Sequence, residues 1–129
     1  MLRFLADASG KIVFKDPAVT GTVTITAGSL SGNATANVLV SGGSVSFTYP
    51  GNITQGNLGA ALVSVAGGHT GSLTFSGALN ATGGTGTQFA DADGVYTFNG
   101  TATLNGGDAA VDITGASDGV FTFGSGFDV

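Results

Sequence analysis

Asp93-Gly94-Val95-Tyr96-Thr97-Phe98-Asn99-Gly100 and Asp118-Gly119-Val120-Phe121-Thr122-Phe123 repeat one phrase 25 residues apart. An Asp-Gly turn signal opens the phrase, and bulky apolar residues then alternate with a threonine. Alternation of period two puts the aromatics on one face and the hydroxyl on the other, the pattern of a half-buried strand. Looser copies lie upstream in Leu73-Thr74-Phe75-Ser76-Gly77 and Phe47-Thr48-Tyr49. The closing aromatics, Tyr49, Phe75, Phe98 and Phe123, stand 26, 23 and 25 residues apart. That spacing reads as one hairpin per unit, produced either by duplication or by strand-turn-strand grammar in a Gly/Thr-rich chain.

The same device extends outward. Val23 and Ile25 share a face in Thr22-Val23-Thr24-Ile25-Thr26, as do Ala34, Ala36, Val38 and Val40, then Val45, Phe47 and Tyr49, and later Val111 and Ile113. Gly42-Gly43, Gly67-Gly68, Gly83-Gly84 and Gly106-Gly107 punctuate the runs. Asn99-Gly100 and Asn105-Gly106 read as hairpin turns, because a type I′ turn needs positive φ at both central residues. About ten short strands and no helix are expected, with residues 57–65 a strand or loop. Two all-β architectures fit: an antiparallel β-sandwich or jelly roll, and a β-solenoid of stacked coils. The irregular repeat spacing favours the sandwich.

Composition points the same way. The chain has 129 residues, enough for one domain. Glycine supplies 24 residues, Phe nine, and Glu, Cys and Trp are absent. The aromatics offer a core, which argues against disorder. Without Cys there is neither a disulfide framework nor a thiolate metal site. Charge is segregated. Arg3, Lys11 and Lys15 are the only basic residues, no charged residue occurs in the 74 positions from Pro17 to Ala90, and six of eight Asp follow from Asp91 onward. A free soluble monomer carries about a quarter of its residues as charges, so the bare stretch suggests faces covered by neighbouring subunits. An acidic chain with no basic stripe is a poor nucleic-acid binder. No run of 18 apolar residues exists for a membrane span, and the first residues reach Asp7 too early for a signal peptide. With Met1 as the start, assembly rather than export is the expected route to its place. Residues 1–15 are expected to form an N-terminal arm or first strand, and 16–129 a single all-β domain. Arg3, Phe4, Lys11, Phe14 and Lys15 are the candidate partner-binding residues, an anchor for an acidic surface or a neighbouring subunit.

No residue pattern points to catalysis, a cofactor or a metal. His69 is the sole histidine, in Gly67-Gly68-His69-Thr70-Gly71, with no acid nearby in sequence, and reads as a solvent-facing turn residue. Asp91-Ala92-Asp93-Gly94 opens like a calcium loop, but a strand follows where further ligands belong. Asp108, Asp112 and Asp118 can reach it only through folding; an Asp/Gly-rich turn explains the same residues. Sequons at Asn33, Asn52, Asn80 and Asn99 are surface acceptors only in a glycosylating compartment. The run Thr20–Thr26 suggests a flat threonine array of the ice-binding kind. Such an array needs the pattern in register on several adjacent strands, and only this run is clean, so sheet propensity accounts for it.

Segments such as Gly43-Ser44-Val45-Ser46-Phe47-Thr48-Tyr49-Pro50-Gly51, with the Asp93–Gly100 phrase, resemble the decoration, cement and fibre proteins of tailed-phage virions. The resemblance implies a non-enzymatic homo-oligomer, often a trimer, that binds a capsid lattice at the virion surface. An extracellular filament subunit or adhesin module is the main alternative. A carbohydrate-binding sandwich ranks lower, having no Trp and only Tyr49 and Tyr96 as platforms.

Overall fold

The computed structural model describes residues 5–6, 10–106, 108 and 110–129. In chain order the strands are β1 (Leu5–Ala6), β2 (Ile12–Phe14), β3 (Thr20–Thr24), β4 (Ser29–Ser31), β5 (Val38–Ser41), β6 (Ser44–Tyr49), β7 (Asn52–Gln55), β8 (Ala61–His69), β9 (Ser72–Phe75), β10 (Leu79–Ala81), β11 (Gly86–Ala92), β12 (Val95–Phe98), β13 (Ala102–Leu104), β14 (Ala110–Thr114), β15 (Val120–Phe123) and β16 (Phe127–Asp128). Every third strand returns to the same sheet. The first sheet runs β1-β2-β5-β8-β11-β14, the second β3-β6-β9-β12-β15 and the third β4-β7-β10-β13-β16. Apart from the antiparallel pair β1–β2, each neighbouring pair is parallel. The molecule is a three-sided β-solenoid of five coils.

This overturns the antiparallel sandwich expected from the sequence, and the hairpins with it. The physical reason lies in the repeat. Tyr49 pairs with Phe75, Phe75 with Phe98 and Phe98 with Phe123. The spacings of 26, 23 and 25 residues are therefore one full coil each, not one hairpin. Alternation cannot tell the two apart, because a solenoid strand also buries one face and solvates the other. The irregular spacing did not argue against stacking, since corners and bulges absorb it. Between β8 and β11 the offset changes from Gly86↔Ala61 to Thr87↔Val63 and again before Ala92↔His69, inside one strand pair.

Inward residues form vertical columns. Val23, Phe47, Leu73, Tyr96 and Phe121 make one on the second sheet; Tyr49, Phe75, Phe98 and Phe123 make its neighbour. Phe75 lies flat on Phe98 (5.0 Å between centroids, 8°), and Phe98 on Phe123 (5.3 Å, 7°). Val40, Val65 and Phe89 face them from the first sheet, Ile53 and Leu79 from the third, all essentially without solvent exposure. Coil-on-coil burial of like side chains makes nearest-neighbour coupling the main source of stability.

The corners are set by two kinds of residue. Between the second and third sheets Gly51, Gly77 and Gly100 stand one above another. A methyl group on Gly77 would overlap the Gly51 carbonyl oxygen, and one on Gly100 the Gly77 carbonyl. Gly100 is therefore required for close approach and not for a hairpin; of Asn99, Gly100, Asn105 and Gly106, Gly106 alone has positive φ. Between the third and first sheets a buried amide does the work. Gln55 Nε2 donates to Asn33 O and Asn37 Oδ1, both at 3.0 Å, while its Oε1 accepts from the Gly56 and Asn57 amides. Carbonyls that a tight corner would orphan are thus satisfied inside the protein.

Candidate functional site

The predicted partner-binding residues divide. Arg3 and Phe4 lie outside the described residues. Phe14 is the second inward residue of β2, buried and stacked on Phe47 at 5.8 Å. Lys11 is half-buried just before β2, and Lys15 is exposed just after it. The cations of the first coil therefore sit at one end of the solenoid.

His69 corrects its sequence reading. It ends β8, is fully buried, and its ring bridges three coils rather than tipping a loop. Nε2 lies 2.9 Å from the Val45 carbonyl, which can only accept, so Nε2 carries the proton. Nδ1 lies 3.0 Å from the Tyr96 hydroxyl, which also sits 3.0 Å from the His69 carbonyl and accepts from the Gly94 amide. Burial pushes the imidazole below its ordinary value, only partly offset by the Val45 carbonyl, and raises the Tyr96 hydroxyl to about 12. A neutral ring tied on both nitrogens is a corner fastener.

The acidic residues collect where the second half of the sequence comes round. Asp93 Oδ1 accepts the Asp118 amide at 3.1 Å, so the two Asp-Gly phrases stack one coil apart. Asp112 accepts from Gln88 at 2.7 Å. Asp91 takes positive φ, the left-handed conformation Asp tolerates. Among the described residues no three metal-ligating side chains converge. Of the sequons, Asn33 is buried in the corner between the third and first sheets, whereas Asn52, Asn80 and Asn99 are exposed.

The least satisfied place among the described strands is the last coil. Phe98 and Phe75 are 1% exposed, but their successor Phe123 is half-buried, as are Phe121 and Phe127. Phe127 packs edge-on against Phe98 and Phe123, at 5.8 and 4.8 Å. Phe121 and Phe123 stack on rings of the coil before, Tyr96 and Phe98. β14, β15 and β16 are the outermost strands of their sheets and pair with described strands on one side. Ile113 and Val120 add exposed apolar surface. Nothing in the alternation of the sequence says which strand is terminal.

No protein-family model matches this chain, and no curated protein or solved structure matches it.

Proposed function

We propose that this chain is a non-enzymatic structural element of a larger assembly, a stiff three-sided rod whose last coil receives a parallel rung from a neighbouring copy. The half-buried aromatic end beneath Phe98 carries this reading. An open parallel edge with an apolar lining is a template for further strands. Charge supports head-to-tail stacking. The described residues 10–16 hold Lys11 and Lys15 against Asp16, a balance of +1, while residues 91–129 hold six Asp and no cation, a balance of −6. Opposite ends of two copies therefore attract, and a heterologous contact of this kind grows filaments instead of closing. β1 already lies along the outer edge of β2, so β3 and β4 are the first-coil edges that β15 and β16 of a neighbour would meet. Of the settings expected from the sequence, an extracellular filament or adhesin suits end-stacking directly. A virion surface protein would use the same rod standing on a lattice.

Light scattering across a concentration series tests the proposal. Mass should rise with concentration, fall at high salt, and stay monomeric in Phe123→Lys. A wild-type protein that remains monomeric throughout, or a closed trimer indifferent to Phe123→Lys, overturns end-stacking.

A further inference from the structure

The outer face of the second sheet is built unlike the other two. Thr24, Thr48, Thr74, Thr97 and Thr122 occupy one straight column across all five coils. Two residues earlier in each strand runs a second column. Thr22 pairs with Ser46, the Ser72 amide donates to the Ser46 hydroxyl at 2.9 Å, and Ser72, Val95 and Val120 follow in register. One threonine of the run seen in the sequence thus recurs on every strand of this sheet, while its companion column changes from Thr through Ser to Val. Coil offsets of 23 to 26 residues hid it.

Three observations say what such a face fits. Its strands contain no Asp, Asn, Gln, Lys or Arg, whereas the first sheet carries the half-buried Gln88 and Asp112 and the third exposes Asn80 and Asp128. Val95 and Val120 are 44% and 59% exposed in line with the hydroxyls, so the face mixes methyl and hydroxyl groups at one height. Over the first three coils lies a trough of about 310 Å³, lined by hydroxyl residues of both columns together with Val23, Ile25 and Phe47.

The spacing along each column is close to that of frozen water, and across the columns it falls within about 0.7 Å of a layer repeat. Oxygens joined by hydrogen bonds of about 2.75 Å in a tetrahedral network have second neighbours about 4.5 Å apart and a layer repeat of about 7.3 Å. Parallel rungs repeat at about 4.8 Å, and residues i and i+2 of a strand stand about 6.6 Å apart. The mismatch along a column accumulates to about 1 Å over five rungs, less than half an oxygen–oxygen distance. Hydroxyl and methyl groups hold water less tightly than charged groups do and can accept a water lattice imposed from outside, and rigid solenoid rungs spend little entropy in presenting them. We infer that this face binds ice: the Thr24–Thr122 column and its Thr22–Val120 companion order water into a lattice that merges with a crystal plane.

The full chain is tested by nanolitre osmometry and by partition into a slowly grown ice hemisphere. A gap between melting and freezing temperature that grows with concentration is expected, with the protein enriched in the ice. Thr74→Lys, at the centre of the array, should abolish both. Thr122→Lys, on the last coil where folding of the rest does not depend on it, should weaken both. Thr103→Lys, on the third sheet's outer face, should change neither. Circular dichroism confirms that each variant is folded. A folded wild type with no temperature gap and no enrichment overturns the inference, as does equal loss in Thr103→Lys. Two other occupants of the face have their own signatures: dimerisation broken by Thr74→Lys points to a second copy, and retention on a polysaccharide resin points to a glycan. Either signature in place of the temperature gap also overturns it.

Discussion

Phe98→Ala removes the ring that joins the fourth coil to both of its neighbours. Phe98 lies face to face with Phe75 above and Phe123 below, and meets Phe89 and Phe127 edge-on. Truncating a buried Phe to Ala costs about 3–5 kcal/mol. The flat stacking on two sides, each pair contributing about 0.5–1.5 kcal/mol beyond area, places this site at the upper end, about 4–5 kcal/mol. A chain of this length has a total stability of only about 6–19 kcal/mol, so the loss is a large fraction of the whole. In a solenoid it is also local, because each coil couples only to its neighbours. Hydrogen exchange followed by mass spectrometry should show 110–129 losing protection first and most, while residues 38–66 keep theirs. Urea unfolding should show a lower midpoint, with the last coil separating as an earlier transition. Phe98→Leu, which keeps most of the volume, should recover more than half of the loss. A cost below about 1 kcal/mol, or loss of protection spread evenly over all five coils, would refute the stacked-coil account of stability.

Three further outcomes follow from the corners and the core. Gly77→Ala should destabilise by about 1–3 kcal/mol through overpacking against the Gly51 carbonyl, whereas Gly56→Ala, which meets only the far end of the Thr82 side chain, should cost little; thermal melts of the pair decide it. Gln55→Ala removes the donor to the buried Asn37 Oδ1 and the acceptor of the Gly56 and Asn57 amides, and should cost about 2–3 kcal/mol by urea titration. His69 is held neutral by burial, so its native value lies below the unfolded value of about 6.5. Its contribution is therefore complete above about pH 6.5 and is lost as pH falls from there toward the native-state value, because the unfolded chain takes up the proton first. The stability difference between about pH 7.5 and about pH 5 should shrink in His69→Gln, and an unchanged slope would remove His69 as its cause.

Particular residues show what was legible beforehand. The strands were, since Val45, Phe47 and Tyr49 alternate whatever sheet they join. The close repeat of Asp93–Phe98 in Asp118–Phe123 was legible as well, and it is the true coil. Its meaning was not, because alternation specifies which face is buried but not whether the neighbour runs parallel. His69 looked exposed among glycines, yet Gly67 and Gly68 take positive φ and turn the chain so that the ring points inward. Thr74, Thr97 and Thr122 were visible singly, and only the register lines them up.

The residues by themselves determined an all-β chain with an aromatic interior and an uncharged middle, because these are properties of side-chain size, polarity and local period. Parallel stacking, the glycine and amide corners, the half-buried aromatics of the last described coil and the threonine columns were decided by tertiary structure alone. Each depends on which residue lies one coil above another, and with coils of 23 to 26 residues that pairing is set only when the corners close.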